Sequence, residues 1–249
     1  MNTNYNSPSL SVFARKYLLR YGYLNDSKST SRASEEEISY AIALFQDIFG
    51  LEKTGVLNKQ TFDAMKIERC GMPDIIDNRF SKITCAWDRK SLNYSLGDAT
   101  QYVSADQAFQ AVRNAFATWS SITSFSFHEV SSDQFPDIII GWVTSSDSDF
   151  PNMAQNDVLA HADYPPNCAV ISGIGPRPLH FNDTTAIWCV GATPGAFDIE
   201  SVALHEIGHI LGLAHSSDIS AVMYPSVQPN AIRRDLAQDD IDGIRQLYP

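Results

Sequence analysis

The sequence lacks three features that would each point to a class of protein. It has no apolar run of about 18 residues, so no membrane span is expected. Basic residues are few, with 18 Lys and Arg against 29 Asp and Glu, and a net charge of −11 disfavours nucleic acid as a partner because it repels phosphate. The first ten residues lack the basic-then-apolar order of a secretory signal. Two interpretations of its location are therefore possible: a cytosolic protein, or a secreted protein whose signal is absent from this sequence.

Cysteine is also scarce, with four residues at Cys70, Cys85, Cys168 and Cys189. None forms a CxxC pair, so a cysteine-only zinc site or a thioredoxin-type redox motif is not expected. Whether any of them are bridged depends on the redox compartment, which the sequence does not fix.

The N-terminal part of the chain has the pattern of a small helical bundle. Apolar residues recur at helical spacing over residues 9–21, and further helices are predicted at 35–49 and 58–66. Ser34 with Glu37 forms a capping box at the start of the second helix. The turn at residues 71–73 then separates this bundle from a region with a different pattern.

That second region mixes strands and helices. Strands are predicted near residues 83–96, 124–130, 137–143 and 158–162, helices near 104–120, 199–211 and 238–247, and a loop-rich stretch over 144–193. Strands that follow one helix and precede another predict an α+β domain.

The segment HEIGHILGLAH carries the chemistry. His205 and His209 lie one helical turn apart on one face, so both imidazoles can reach one ion. Gly212 can end the helix in a left-handed conformation, which lets the chain turn back and offer His215. Three imidazoles leave a fourth position for water, as in a catalytic zinc site, and Glu206 can hold that water. The alternative is three core histidines that bond to backbone carbonyls.

Several motifs together resemble one known family. HEIGHILGLAH followed by Met223-Tyr224-Pro225 resembles the metzincin metallopeptidases. Residues 68–74 resemble the cysteine switch of matrix metalloproteinase precursors, although Glu68 stands where that family has proline. Residues 45–65 resemble the peptidoglycan-binding-like prodomain, and residues 236–249 the last helix of the catalytic domain. The resemblance covers almost the whole chain, and no segment resembles a hemopexin domain.

The resemblance implies a three-helix prodomain over residues 1–75 and a metzincin-type catalytic domain over 76–249. The catalytic domain should have a twisted, mostly parallel sheet with one antiparallel edge strand, and three helices. Cys70 would occupy the fourth zinc position of a latent enzyme until cleavage near residues 76–82. Glu206 would be the general base.

The resemblance also implies residues that bind substrate. The edge strand with Leu159 and Ala160 would pair with an extended peptide. Met223 would form a floor under the metal, and Tyr224 would line the specificity pocket. Ser201, being small, predicts a pocket for a bulky apolar residue just after the cleaved bond.

The resemblance also implies a structural zinc site and calcium sites, at which this sequence matches only some of the family's ligands. A structural zinc would use His161 and His180 with Asp149, and Asp147 stands where the family has a histidine. For calcium, Asp137, Gly173 and Gly175 match one site, while residues 152–156 lack the glycines of another. A Cys168–Cys189 disulfide was the predicted substitute for a lost calcium.

The expected partners are a protein or peptide substrate, an activating protease and proteinaceous inhibitors, with a monomeric and secreted enzyme. The alternative function is a cell-wall protein that binds peptidoglycan through its N-terminal helices, which a pull-down on insoluble peptidoglycan would reveal. A pseudoenzyme is disfavoured because Glu206 and all three histidines are present.

Overall fold

A computed structural model describes residues 8–25, 33–76, 79–80, 85–144, 158–171, 173 and 175–249. The chain divides into two compact units. The first comprises Met1–Ile67 and Pro73–Ser81, and the second comprises Glu68–Met72 and Lys82–Pro249.

The first unit is the predicted helical bundle. Its helices are α1 (Pro8–Arg20), α2 (Glu35–Ile48) and α3 (Lys59–Ala64). The capping box is present, since Glu37 N donates to Ser34 Oγ at 3.2 Å and Ser34 N donates to Glu37 Oε2 at 2.8 Å. Leu18 and Phe45 are fully buried at the centre of its core.

The second unit contains three helices and most of the strands. Its elements are β1 (Arg69–Cys70), β4 (Ser91–Leu96), α4 (Ala105–Ile122), β5 (Ser126–Glu129), β6 (Ile138–Val143), β7 (Val158–Ala162), β8 (Arg177–Asn182), β9 (Trp188–Cys189), β10 (Phe197–Asp198), α5 (Ile199–Ile210) and α6 (Gln238–Leu247); β2 (Ile75–Ile76) and β3 (Arg79–Phe80) form an antiparallel pair in the first unit.

Six strands of the second unit form one sheet in the order β1-β7-β8-β6-β4-β5. Only β7 and β8 pair antiparallel, and the other neighbours are parallel. The predicted fold class is therefore confirmed. The antiparallel strand β7 does not end the sheet, because β1 pairs with its outer side.

Helix α4 packs against α5. The face predicted from its periodicity is buried, and comprises Ala108, Val112, Ala115, Phe116 and Trp119. Trp119 Nε1 donates to Leu204 O at 2.9 Å, a bond that ties α4 to the helix carrying the HExxH motif. The hydrophobic core thus supports that helix along its inner side.

Strand β8 was not predicted, because the stretch 144–193 was interpreted as loop with one strand. Its sequence RPLHFN contains proline and three polar residues, which disfavour a central strand. The polar residues are bonded inside the protein: Asn182 Nδ2, for example, donates to Val158 O at 2.7 Å. Similarly, the strand predicted over 83–96 is confined to Ser91–Leu96.

The predicted Cys168–Cys189 disulfide was wrong. Cys168 is bonded to Cys85, with 6.0 Å between their Cα atoms. Cys189 is a buried thiol in β9 that donates to Gly191 O at 3.0 Å. Sequence spacing could not distinguish these pairings, because the two bonded cysteines lie 83 residues apart.

Among the residues that the structure describes, no helix combines the length and the apolar character needed to cross a membrane.

Candidate metal centre

Three imidazoles and one thiol converge in the second unit. The ligand atoms of Cys70, His205, His209 and His215 all lie within 4.8 Å of one another, and the four residues are buried. His209 Nε2 lies 3.2 Å from His215 Nε2 and 3.4 Å from Cys70 Sγ.

The convergence follows from how α5 ends. His205 and His209 share one face of the helix, as their four-residue spacing predicted. Gly212 has a φ of +101°, and a Cβ there would lie 2.1 Å from Cys85 O. Only glycine fits this turn, which brings His215 back to the two helical imidazoles.

Backbone carbonyls fix the orientation of both helical imidazoles. His205 Nδ1 lies 2.7 Å from Val222 O, and His209 Nδ1 lies 2.7 Å from Leu213 O. Because a carbonyl only accepts, each Nδ1 carries the proton and each Nε2 presents its lone pair to the cluster. Burial lowers the pKa of His205 and His209, so both imidazoles are neutral, as metal ligation requires.

The residues fit a tetrahedral zinc ion. Two imidazole nitrogens on one zinc are separated by about 3.4 Å, close to the spacing of His209 and His215. His205 Nε2 and Glu206 Oε1 are buried without a hydrogen-bond partner in the described part of the chain. Buried polar atoms normally have partners, and a bound cation would supply one for His205 Nε2.

Cys70 belongs to the same cluster and also contacts Glu206. Its thiol donates to Glu206 Oε2 at 3.5 Å, and Met72 N donates to its sulfur at 3.4 Å. Burial, followed by the nearby Glu206 charge, raises the pKa of the Cys70 thiol. Burial also raises the pKa of Glu206 to about 8.

The segment that carries Cys70 lies between two parts of the cleft. Gly71 N donates to Ala160 O at 2.8 Å, and Cys70 N donates to Pro225 O at 3.0 Å. Arg69 pairs with Ser226 in an antiparallel bridge. The backbone around Cys70 is therefore bonded like a strand on both sides.

A pocket opens beside His205 and Glu206. Its wall includes three of the four predicted substrate residues, Leu159, Ser201 and Tyr224, together with Val202, Val227 and Arg233. The Ser201 hydroxyl is bonded within this wall, since it donates to Asp198 Oδ2 at 2.6 Å and accepts from Arg233 N at 2.8 Å.

The turn at Met223-Tyr224-Pro225, called the methionine turn below, is held by a residue that was not predicted. Buried Asp240 accepts hydrogen bonds from Val222 N at 2.8 Å and Met223 N at 3.0 Å. A Cβ on Gly208 would lie 2.2 Å from Met223 Sδ, so the methionine packs directly on α5. Since Val222 O is the carbonyl that orients His205, Asp240 acts on the metal centre through this turn.

Asp198 caps the start of α5. Its carboxylate accepts from Ser201 N at 3.0 Å and from Arg234 Nε at 2.9 Å and Nη2 at 2.6 Å. Burial opposes ionisation of Asp198, but the Arg234 and Ser201 hydrogen bonds outweigh it and lower the pKa. The cap is thus ionised at neutral pH and loses its effect only as pH falls through that lowered pKa.

The residues predicted for the structural zinc are partly described. His161 and His180 are cross-strand partners in β7 and β8, with ring centroids 5.2 Å apart. Asp147 and Asp149 lie outside the described residues.

The residues predicted for one calcium site bond to donors of the protein itself. The Gly173 and Gly175 carbonyls both accept hydrogen bonds from Arg177 Nη2. The Asp137 carboxylate pairs with Arg89 and accepts from Asn93 N at 2.8 Å. Each expected ligand of this site is therefore already bound by a protein donor. Residues 152–156 lie outside the described part of the chain.

Comparison with known proteins gives two family matches. Residues 86–249 match the matrixins, and residues 11–65 match the peptidoglycan binding domain. The chain is 36% identical to Metalloendoproteinase 1-MMP of Arabidopsis thaliana, over 94% of this chain and 67% of that protein. It is 31% identical to Metalloendoproteinase 1 of Glycine max, over 94% and 80% respectively. Interstitial collagenase of Bos taurus is 35% identical, over 94% of this chain and 48% of the collagenase.

Replacing Asp240 tests its role beneath the metal centre. Asp240→Ala should lower the free energy of unfolding by about 2–4 kcal/mol, because buried backbone donors lose their acceptor. Asp242→Ala, an exposed position on the same helix, should change it by about 0.5 kcal/mol or less. Denaturant unfolding of the zinc-loaded protein measures both free-energy changes. If the two variants are destabilised equally, Asp240 does not stabilise the metal centre as described.

Proposed function

The chain belongs to the matrixin family of zinc metalloendopeptidases, and from that premise we propose that it is a latent form whose Cys70 blocks the catalytic zinc. The proposed division is a prodomain over residues 1–75 and a catalytic domain over residues 76–249. The enzyme would be a secreted monomer that an activating protease switches on and that proteinaceous inhibitors bind. The proposed substrates are extended segments of proteins.

The observation that carries the proposal is the position of the Cys70 sulfur. It belongs to the same buried cluster as all three histidines, and lies 3.4 Å from His209 Nε2. A thiolate is a strong zinc ligand, and this sulfur would take the position that a catalytic water needs. This contact also favours an inhibitory role for the helical unit over cell-wall binding, because the switch cysteine follows that unit directly.

Glu206 is the proposed general base. His205, His209 and His215 would hold the zinc, which supplies Lewis-acid chemistry by polarising the scissile carbonyl and lowering the pKa of water toward about 7. Glu206 follows His205 on α5, and its carboxylate lies 3.5 Å from Cys70 Sγ of the same cluster. It would accept a proton from the attacking water and donate it to the departing amine.

The substrate would bind where the switch segment now lies. Residues 69–71 bond to Ala160 on one side and to Pro225 on the other. An extended peptide could make the same kind of backbone bonds once this segment has left, and Leu159 would contact its side chains.

The pocket beside the metal centre would accept the residue after the cleaved bond. Its walls are largely apolar, which favours a bulky apolar side chain. Arg233 adds a positive charge to this wall: its Nη1 donates to Ser226 O at 3.2 Å, and its guanidinium lies 5.8 Å from the Tyr224 ring centroid. A basic substrate side chain would be repelled there.

A structural zinc is proposed between β7 and β8. His161 is buried and faces His180 across the strands, an arrangement that supplies two of four ligands. Asp147 and Asp149 are the proposed carboxylate ligands.

Two substitutions test latency and the general base. Cys70→Ser should raise the peptidase activity of the uncleaved chain by roughly tenfold or more, because a hydroxyl is a much weaker zinc ligand than a thiolate. Cys189→Ser, at the other free thiol, is the control and should leave the uncleaved chain inactive.

The general base is tested after removal of the prodomain, where Glu206→Gln should lower kcat by at least about 100-fold. Full activity in cleaved Glu206→Gln would reject Glu206 as base.

Metal analysis tests the structural zinc. The purified chain should contain about two zinc ions, and His161→Ala about one, because the carboxylates and one imidazole bind zinc too weakly to retain it. His128→Ala, which changes an exposed histidine in β5, should leave the zinc content unchanged. One zinc in the unmodified chain, measured by mass spectrometry, would contradict the second site.

Matched peptides test the pocket. In a series that differs only at the residue after the cleaved bond, the cleaved enzyme should prefer Leu over Lys in kcat/KM by at least about tenfold. Arg233→Gln should lower the Leu-to-Lys ratio of kcat/KM while changing kcat/KM for the Leu peptide by about threefold or less. The exposed Arg245→Gln should leave both quantities unchanged. A preference for small or charged residues in the unmodified enzyme would reject the proposed pocket.

A further inference from the structure

The connection between β7 and β8 is organised around one buried ion pair. Asp163 follows β7 directly and Arg177 begins β8, and both side chains are almost completely buried. Arg177 Nη1 lies 3.4 Å from Asp163 Oδ2. A charge removed from water to this extent is stable only if it is paired and hydrogen-bonded, so the contacts of both groups decide whether this loop folds.

The Asp163 carboxylate binds the backbone of the first half of the loop. It accepts backbone hydrogen bonds from Tyr164 N at 2.9 Å, Val170 N at 2.8 Å and Ile171 N at 3.3 Å. These bonds fold residues 164–171 back over the carboxylate.

The Arg177 guanidinium binds the backbone of the second half of the loop. Its Nη2 donates to Gly173 O at 2.7 Å and also to Gly175 O. One planar cation therefore lies between a carboxylate and two backbone carbonyls.

This set of oxygens is what a calcium ion takes as ligands. Calcium binds carboxylates and backbone carbonyls at about 2.3–2.6 Å, usually with six to eight oxygens. We propose that the Arg177 guanidinium occupies the place of a bound calcium ion in the β7–β8 loop, and that this loop folds without calcium.

Two physical arguments support the substitution. A nitrogen 2.7 Å from Gly173 O occupies the space in which a calcium ion would lie. A divalent cation beside a buried guanidinium would also be strongly repelled, and arginine does not lose its proton at physiological pH. The planar fork of arginine can bond the carboxylate and both carbonyls at once, which a lysine ammonium cannot do with the same geometry.

The loop also contacts the metal centre. Tyr164, next to Asp163, is fully buried, and its ring centroid lies 5.4 Å from that of His209. The guanidinium thus supports a side chain that packs on a zinc-ligand candidate, and calcium would not be needed to order that part of the cleft.

Hydrogen exchange of the full chain tests the proposal at the loop itself. The amides of Val170 and Ile171 are followed in zinc-containing buffer stripped of calcium and in the same buffer with millimolar calcium. In the unmodified chain their protection should be the same in both buffers. Arg177→Gln should speed their exchange in the calcium-free buffer by roughly tenfold or more, because the loop loses its central cation.

Two further variants complete the design. Arg177→Lys keeps the positive charge but loses the planar guanidinium, so this variant should fold even if Arg177→Gln does not. Its Val170 and Ile171 amides should exchange faster than those of the unmodified chain. Arg113→Gln removes an exposed arginine–carboxylate pair elsewhere and should leave the loop unchanged. The proposal is overturned if calcium slows exchange of Val170 and Ile171 in the unmodified chain. It is also overturned if Arg177→Lys exchanges as slowly as the unmodified chain.

Discussion

The second unit depends on bringing three buried imidazoles to one point, with one ring nitrogen of each facing the others. Buried nitrogens that face each other without a cation are costly, so the fold must hold them against their own tendency to separate. Val222 O and Leu213 O hold His205 and His209 by their outer nitrogens. Both carbonyls lie C-terminal to α5, so the turn at Gly212 and the methionine turn position the ligands as firmly as the helix does.

The surrounding sheet brings this centre next to an edge that can bind a strand. β7 runs antiparallel to β8, and its other side is free to bond a further chain segment, which here is β1. The Cys70 sulfur and its own backbone therefore act together. The sulfur approaches His209, while neighbouring backbone N–H groups bond to Ala160 and Pro225. Leaving the cleft requires all of these contacts to break.

The sequence predicted the elements whose signals are local. Helix α4, the capping box at Ser34 and the glycine turn at Gly212 all follow from side chains close together in the chain. Strand β8 could not be predicted in this way, because its polar residues are stabilised by partners far along the chain, as Asn182 is by Val158. Asp240 and Arg177 were missed for the same reason: a carboxylate or guanidinium usually indicates an exposed surface, and only tertiary structure shows its bonds to distant backbone.

The disulfide between Cys85 and Cys168 has a consequence for processing of the chain. It holds the beginning of the second unit to the β7–β8 loop, and Trp87 Nε1 donates to Ile210 O at 2.7 Å just beyond it. Cleavage near residues 76–82, as proposed, would leave Cys85 and its disulfide in the second unit. The new N-terminal end would therefore stay joined to the β7–β8 loop through Cys85.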